Sequence, residues 1–130
     1  LDLHLFPYTS RFRSPLAYGD ATQLEQAFLN LILNATEAMI NGGTLTIRSR
    51  SLNVGEKITQ VAIEFKDTGA GMTKEQQLRA FKAVLATTKA KGTGLGLAIV
   101  GRIIETHQGE IRIRSREGRG TTISIKLPVK

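Results

Sequence analysis

The sequence predicts an α+β fold, a two-layer α/β sandwich in which a mixed, mostly antiparallel sheet of about five strands packs against three helices. Two observations predict it. Helical patterns alternate with pairs of strand patterns along the chain, and short Gly-bearing turns join the later strand pairs. Helices separated by hairpins favour a two-layer sandwich over a doubly wound parallel sheet. With 130 residues, the chain fits one compact domain, so we assign residues 1–130 to a single domain.

The elements follow from hydrophobic periodicity and from start and stop signals. The predicted strands are Leu3–Phe6, Leu16–Tyr18, Thr44–Arg50, Ile58–Phe65, Glu110–Ser115 and Thr121–Leu127. The predicted helices are Asp20 to about Ile40, Lys74–Phe81 and Leu95–His107. Asn41-Gly42-Gly43 ends the first helix, and Thr73 caps the second. Lys82–Gly94 has no clear period and is rich in Thr, Lys and Gly, so we predict a mobile loop there.

Composition excludes several classes of protein. The chain has no cysteine, which excludes disulfides and thiolate metal sites. Its longest apolar runs are far shorter than a membrane-spanning segment, and the N-terminus lacks the pattern of a signal peptide. Because the chain does not begin with Met, we expect a fragment of a larger protein.

The net charge of +7 raises the question of an anionic partner. The basic residues are scattered, and their mild cluster alternates along one predicted strand, as on a solvated sheet face. That cluster consists of Arg112, Arg114, Arg116 and Arg119. With two Tyr, five Phe and no Trp, the chain offers no obvious stacking platform for bases. We therefore expect no nucleic-acid partner and keep a basic nucleic-acid-binding module only as an alternative.

A narrow polar stripe runs along the first long helix. At about 100° per residue its members share one quarter of the circumference. They are Gln26, Asn30, Asn34 and Glu37. The opposite side carries Leu24, Phe28, Leu31, Ala35 and Met39. An ordinary surface helix has a wide face of charged residues instead. Half-buried amides need partners, so these either cap neighbouring backbone or line a polar ligand site, and we favour the ligand site.

Two glycine-rich segments follow. Asp67–Gly71 comes directly after a strand, where a carboxylate can accept a hydrogen bond and glycines let the backbone approach a flat ligand. Gly92–Leu97 lies where a loop enters a helix, and free N–H groups at a helix N-terminus suit phosphate. The second segment fits neither a dinucleotide fingerprint nor a P-loop. Each segment is weak evidence alone, whereas the polar stripe and both segments in this order are specific.

Together these segments resemble the catalytic domain of sensor histidine kinases, within the superfamily of gyrase, the Hsp90 chaperones and MutL-type ATPases. Asp20–Met39, with Gln26–Ala35 at its centre, is similar to the N box. Asp67–Gly71 and Gly92–Leu97 resemble the first and second glycine boxes, and the tail from His107 to Pro128 resembles the closing hairpin. The resemblance covers nearly the whole chain from Tyr18 onward. It implies the Bergerat ATP-binding fold, with ATP and Mg²⁺ as ligands.

The resemblance implies a role for each matching residue. Asn34 would ligate Mg²⁺ through its side-chain oxygen. Asp67 would accept a hydrogen bond from the adenine amino group, supported by Thr121. Glycines would let the backbone come close to the nucleotide, and a lid would cover its phosphates. The residues implied for these two tasks are Gly69, Gly71, Lys89, Lys91, Gly92, Gly94, Leu95 and Gly96.

Asn30 separates two activities within the superfamily. The resemblance places it where the ATPases carry a glutamate that activates water. An amide cannot take a proton at neutral pH, which favours transfer to an incoming histidine over hydrolysis. The resemblance therefore implies a protein histidine kinase acting on its own dimerisation and phosphoacceptor domain, with a response regulator downstream. An ATPase of the same superfamily is the alternative.

Three further features concern the branch of the family, the lid and the histidines. Glu37 and Ala38 replace the basic and aromatic pair of many histidine kinases, which points to the nitrogen-regulation and sporulation-kinase branch. Phe81–Lys89 lacks that branch's proline and aromatic pair and is one residue longer, so the resemblance does not specify the lid's geometry. His4 and His107 lie outside any phosphoacceptor pattern, and we expect both to be structural. The resemblance implies a cytoplasmic domain, whether or not the parent protein is anchored in a membrane.

Overall fold

A computed structural model of the chain describes residues 2–7, 20–85 and 95–129. Its strands are β1 Asp2–Pro7, β2 Thr44–Val54, β3 Lys57–Asp67, β4 Glu110–Arg116 and β5 Gly120–Pro128. Its helices are α1 Ala21–Ala38, α2 Lys74–Leu85 and α3 Leu95–Thr106. The predicted strand Leu16–Tyr18 lies outside the described residues. Each of the other predicted elements is present, so the predicted order of helices and hairpins is confirmed.

The strands form one sheet in the order β1-β2-β3-β5-β4. β1 pairs with β2 in parallel, and the other neighbours are antiparallel. α1 and α3 contact each other and cover one face of this sheet. Between the layers lies an apolar cluster to which α1 contributes Ala27 and Leu31, while β3 and β5 contribute residues such as Phe65 and Ile125. The predicted two-layer sandwich is confirmed.

Local signals account for the helix ends. The Asp20 side chain accepts the Gln23 backbone N–H at 3.2 Å and caps α1. At the start of α2, Thr73 and Gln76 form a reciprocal capping box: the Thr73 hydroxyl accepts the Gln76 N–H at 3.1 Å, and Gln76 Oε1 accepts the Thr73 N–H at 2.9 Å. The predicted cap at Thr73 is therefore present.

The loop predicted over Lys82–Gly94 is wrong for its first four residues, because α2 continues to Leu85. The cause is tertiary packing that periodicity does not reveal. α2 packs along α3, and Val84 is only 6% exposed. Gly101 of α3 lies so close to the Val84 carbonyl that any side chain at Gly101 would collide with it. Residues 86–94 of the predicted loop lie outside the described residues.

His107 joins the two main helices. Its Nε2 accepts the backbone N–H of Asp20 at 2.9 Å, and its Nδ1 donates to the Ile103 carbonyl at 2.7 Å. Because Nε2 accepts a backbone N–H, these two contacts place a ring proton on Nδ1. The predicted structural role of His107 is therefore confirmed, while the side chain of His4 lies outside what the structure describes.

We expect His107→Ala to lower the free energy of unfolding by about 1–2 kcal/mol, because it removes the hydrogen bond that links the end of α3 to the α1 cap at Asp20, together with the bond to the Ile103 carbonyl of α3. Thermal and chemical denaturation followed by circular dichroism would measure the change. Thr106→Ala provides the control, since that hydroxyl contacts only its own helix at Arg102. A loss no larger than that of the control would contradict the bridging role.

Among the helices of residues 20–85 and 95–129, none has the length and hydropathy needed to cross a lipid bilayer.

Candidate functional site

Asp67 lies at the end of β3, in the middle of the sheet, and is 8% exposed. One of its carboxylate oxygens, Oδ1, accepts two backbone N–H groups, from Gly69 at 2.9 Å and from Thr121 at 3.2 Å. Its other oxygen, Oδ2, forms no hydrogen bond with any residue that the structure describes. The carboxylate is therefore held rigidly through one oxygen, and the second remains available to accept a proton donor from a ligand.

The first glycine-rich segment is fixed between the end of α1 and the β4–β5 hairpin. The Ala70 N–H donates to the Ala38 carbonyl at 3.0 Å, which satisfies a carbonyl at the C-terminal end of the helix. The Ala70 carbonyl accepts the Gly118 N–H at 2.7 Å. Gly71 adopts a φ of +69°, and a Cβ there would collide with the Arg116 carbonyl. The hairpin backbone thus requires glycine at this position, whether or not a ligand also approaches it.

The polar stripe of α1 divides into two parts. Gln26 and Glu37 are exposed, whereas Asn30 and Asn34 are half-buried. Neither asparagine side chain forms a hydrogen bond within residues 20–85 or 95–129, and their amide atoms are accessible to solvent. Backbone capping, the alternative that the sequence left open, is therefore absent among the described residues. Two half-buried amides that face accessible space are well placed to meet a polar ligand.

Two apolar residues beside this stripe are exposed. Leu29 is 55% exposed and Leu33 is 48% exposed. Ala27, which the predicted apolar face omitted, is fully buried in the apolar cluster between the helices and the sheet. The buried face of α1 is therefore centred on Ala27, Leu31 and Ala35.

The beginning of α3 lies next to Asn34. A Cβ placed on Gly96 would lie 3.7 Å from Asn34 Oδ1, so this glycine and the asparagine border the same space. Leu95 begins the helix. The other lid residues that the sequence predicted lie outside the described residues. These are Lys89, Lys91, Gly92 and Gly94.

Two residues that the sequence did not single out, Ser115 and Gln77, also form part of this site. The Ser115 hydroxyl accepts the Met72 N–H at 2.8 Å and lies 2.8 Å from the Thr121 hydroxyl. Gln77 Nε2 donates to the carbonyls of Met72, at 3.2 Å, and Ser115, at 2.9 Å. A signal for Ser115 was present in the sequence, because the predicted hairpin brings it directly opposite Thr121.

A shallow groove of about 600 Å³ lies elsewhere, on the sheet face that the helices leave open. Arg48 and Arg50 line one side of it, and Arg112 and Arg114 line the other. These residues alternate along their strands with the residues that pack against the helices. Arg112, Arg114 and Arg116 thus lie on a solvated sheet face, as the sequence predicted, whereas Arg119 lies in the turn between β4 and β5. The groove is separate from the site around Asp67.

Comparison with known proteins agrees with this architecture. Sporulation kinase E of Bacillus subtilis (strain 168) is 43% identical over 116 residues, which cover 89% of this chain and 15% of that protein. Sensor histidine kinase ZraS of Escherichia coli (strain K12) is 38% identical over 122 residues, 94% of this chain and 25% of that protein. The chain thus spans a quarter or less of the length of these relatives.

Solved structures give the same result. The nucleotide-free catalytic domain of histidine kinase ThkA superposes with a TM-score of 0.76 at 27% identity, over 98% of this chain and 80% of that one. Full-length ShkA in complex with AMPPNP gives a TM-score of 0.76 at 25% identity, over 98% of this chain and 25% of that one. The likeness to ThkA shows that the chain has the fold of a histidine kinase catalytic domain.

The fold and the site define the class: a two-layer sandwich that carries half-buried amides on its first helix, a strand-end carboxylate at Asp67 and a glycine-rich loop directly after it. The profile of the histidine kinase-, DNA gyrase B- and HSP90-like ATPases matches residues 19–130, and the chain belongs to that family. The sporulation kinase among its relatives agrees with the branch that Glu37 and Ala38 indicated.

Proposed function

We propose that the chain binds ATP with Mg²⁺ and transfers the γ-phosphate to a histidine on a separate dimerisation domain, as one step in two-component signalling. The observation that carries the proposal is the hydrogen bonding of the Asp67 carboxylate. One oxygen is fixed by two backbone donors, and the other is left for a donor such as the adenine amino group. The proposal places this domain in the cytoplasm, and it leads to a response regulator as the next phosphate acceptor.

Asn34 is the residue that we propose to hold Mg²⁺. Its amide oxygen suits a hard cation, has no hydrogen-bond partner among the described residues and faces accessible space. No group of three or more His, Cys, Asp or Glu in the described ranges could hold a metal ion. A single protein ligand fits Mg²⁺, which commonly completes its coordination with water and substrate phosphates. When bound, the ion would neutralise phosphate charge.

The chain's own residues would bind and orient the nucleotide. Asp67 and Thr121 would hold the base, with Gly69 and Gly71 shaping the loop beside it. The accessible N–H groups at the start of α3, near Leu95 and Gly96, would face the phosphates. We assign the remaining lid contacts to Lys89, Lys91, Gly92 and Gly94, on the resemblance alone.

Asn30 supports transfer rather than hydrolysis. It lies one turn before Asn34 on the same face of α1 and carries an amide, which cannot act as a general base at neutral pH. Asn30 would therefore not activate a water molecule at this site, so the γ-phosphate would be transferred to the incoming imidazole rather than hydrolysed. Catalysis would rest on positioning and charge neutralisation.

The proposal is tested by incubating the chain with ATP labelled at the γ-phosphate and a helical histidine domain from the same parent protein. We expect acid-labile, base-stable phosphate on that domain, and none when its histidine is replaced by glutamine. Binding of ATP without transfer to such a partner would count against kinase function. Rapid release of phosphate by the chain alone would instead favour the ATPase alternative and contradict the role of Asn30.

A further inference from the structure

Ser115 lies at the centre of a hydrogen-bond network behind the proposed base site. It pairs directly with Thr121 across the β4–β5 hairpin and is half-buried. Its hydroxyl accepts the Met72 N–H at 2.8 Å and has two further neighbours, the Gly120 carbonyl at 3.0 Å and the Thr121 hydroxyl at 2.8 Å. A serine hydroxyl has one proton and two lone pairs, so these three contacts use its full capacity.

The same network reaches the buried carboxylate and the start of α2. Thr121 donates its backbone N–H to Asp67 Oδ1 at 3.2 Å. Met72 is held from both sides, because its N–H binds Ser115 and its carbonyl accepts Gln77 Nε2 at 3.2 Å. Ser115 therefore joins the glycine-rich loop to the strand that carries Thr121.

The Ser115 proton can take either of two acceptors, the Gly120 carbonyl or the Thr121 hydroxyl oxygen. When it binds Gly120, the Thr121 proton can bind Ser115. When the Ser115 hydroxyl donates to the Thr121 oxygen instead, the Thr121 hydroxyl no longer donates to Ser115. It can then donate its hydrogen bond to a ligand. Thr121 can thus become a donor without leaving any hydroxyl in this group unsatisfied.

We propose that Ser115 is a positioning residue that sets Thr121 as a hydrogen-bond donor beside the acceptor oxygen of Asp67, so that the pair selects adenine. Adenine presents an amino donor next to a ring-nitrogen acceptor, and this order complements a carboxylate beside a donating hydroxyl. Hypoxanthine presents the opposite order, a carbonyl acceptor next to a ring N–H. The inference rests on the proposed nucleotide site and goes beyond it by naming what determines its base preference.

The test compares ADP with inosine diphosphate, both with Mg²⁺, by titration calorimetry. We expect Ser115→Ala to weaken ADP binding about tenfold and inosine diphosphate binding by less than about threefold, so that the preference for adenine falls. Ser115→Thr keeps the hydroxyl and should restore the wild-type preference. Ser124→Ala is the matched control, because Ser124 lies on the same hairpin and its hydroxyl bonds to none of the described residues.

A second substitution separates this role from a purely structural one. Thr121→Val should lower the preference for adenine as Ser115→Ala does, and adding Ser115→Ala to it should change the preference no further. If Ser115→Ala does not fold, Ser115→Cys takes its place, because a thiol is a weak donor of similar size.

Three results would overturn the inference: equal losses for both nucleotides, a Ser115→Ala variant that binds like Ser124→Ala, or independent effects of the two substitutions. If the wild-type chain binds neither nucleotide, the proposed function itself fails, and the two failures are thereby distinguished.

Discussion

Asn34→Ala is expected to abolish Mg²⁺-dependent nucleotide binding while the domain stays folded. The Asn34 side chain forms no hydrogen bond with the described residues, so its removal leaves no donor or acceptor there unsatisfied. Alanine is also the better helix former by about 0.5–0.7 kcal/mol, so the free energy of unfolding should stay the same or rise slightly. Calorimetry with ADP, with and without Mg²⁺, would measure the binding, and thermal denaturation would measure the stability.

Two further variants of α1 sharpen this test. Asn34→Asp keeps a hard oxygen ligand and should retain part of the metal-dependent binding. Gln26→Ala makes a similar truncation on the same stripe at an exposed position, and should leave binding unchanged. A metal-independent loss of ADP affinity in Asn34→Ala, or a marked fall in the free energy of unfolding while the folded protein still binds ADP with Mg²⁺, would assign Asn34 to packing or capping instead.

Asp67→Asn should weaken ADP binding by about 100-fold or more without unfolding the domain. The asparagine oxygen can still accept the Gly69 and Thr121 N–H groups, which preserves the local structure. Its amide nitrogen, however, is a hydrogen-bond donor, and it would take the place of the oxygen that accepts from the adenine amino group. Two donors would then face each other. Titration calorimetry with ADP would measure the loss.

Two comparisons check the cause of that loss. Inosine diphosphate carries a carbonyl in place of the amino group, so its affinity relative to ADP should rise in Asp67→Asn. Asp67→Ala should in addition lower the free energy of unfolding by about 1–3 kcal/mol for each of the two N–H groups that lose their acceptor. An unchanged preference between the two nucleotides in Asp67→Asn would place the base elsewhere.

Much of the fold could be predicted because local signals agree with tertiary packing. The Thr73 cap, the Asn41-Gly42-Gly43 stop and the alternation along the later hairpin each specify one structure, and each is present. The end of α2 could not be predicted. Its helical state from Lys82 to Leu85 depends on Val84 packing against α3, and a contact with a distant element has no local sequence pattern.

In the candidate site, too, some residues could be predicted from local motifs and others depend on contacts between distant parts of the chain. Asp67 and Thr121 could be identified from their motifs, and the structure brings them within hydrogen-bond distance. Ser115 contacts Met72 across 43 residues of sequence and Gln77 across 38, so a single sequence does not reveal these contacts. The lack of a hydrogen bond between the Asn34 amide and the described residues likewise could not be predicted, because the sequence left capping open.

The basic residues on the open face of the sheet have a consequence for self-association. Among the described residues β4 is an edge strand, and its outer backbone groups can pair with a strand from a second molecule. An antiparallel approach of two copies of β4 would bring Arg112, Arg114 and Arg116 of each close to the same residues of the other. Their mutual repulsion discourages sheet extension between molecules, and high salt would weaken that protection.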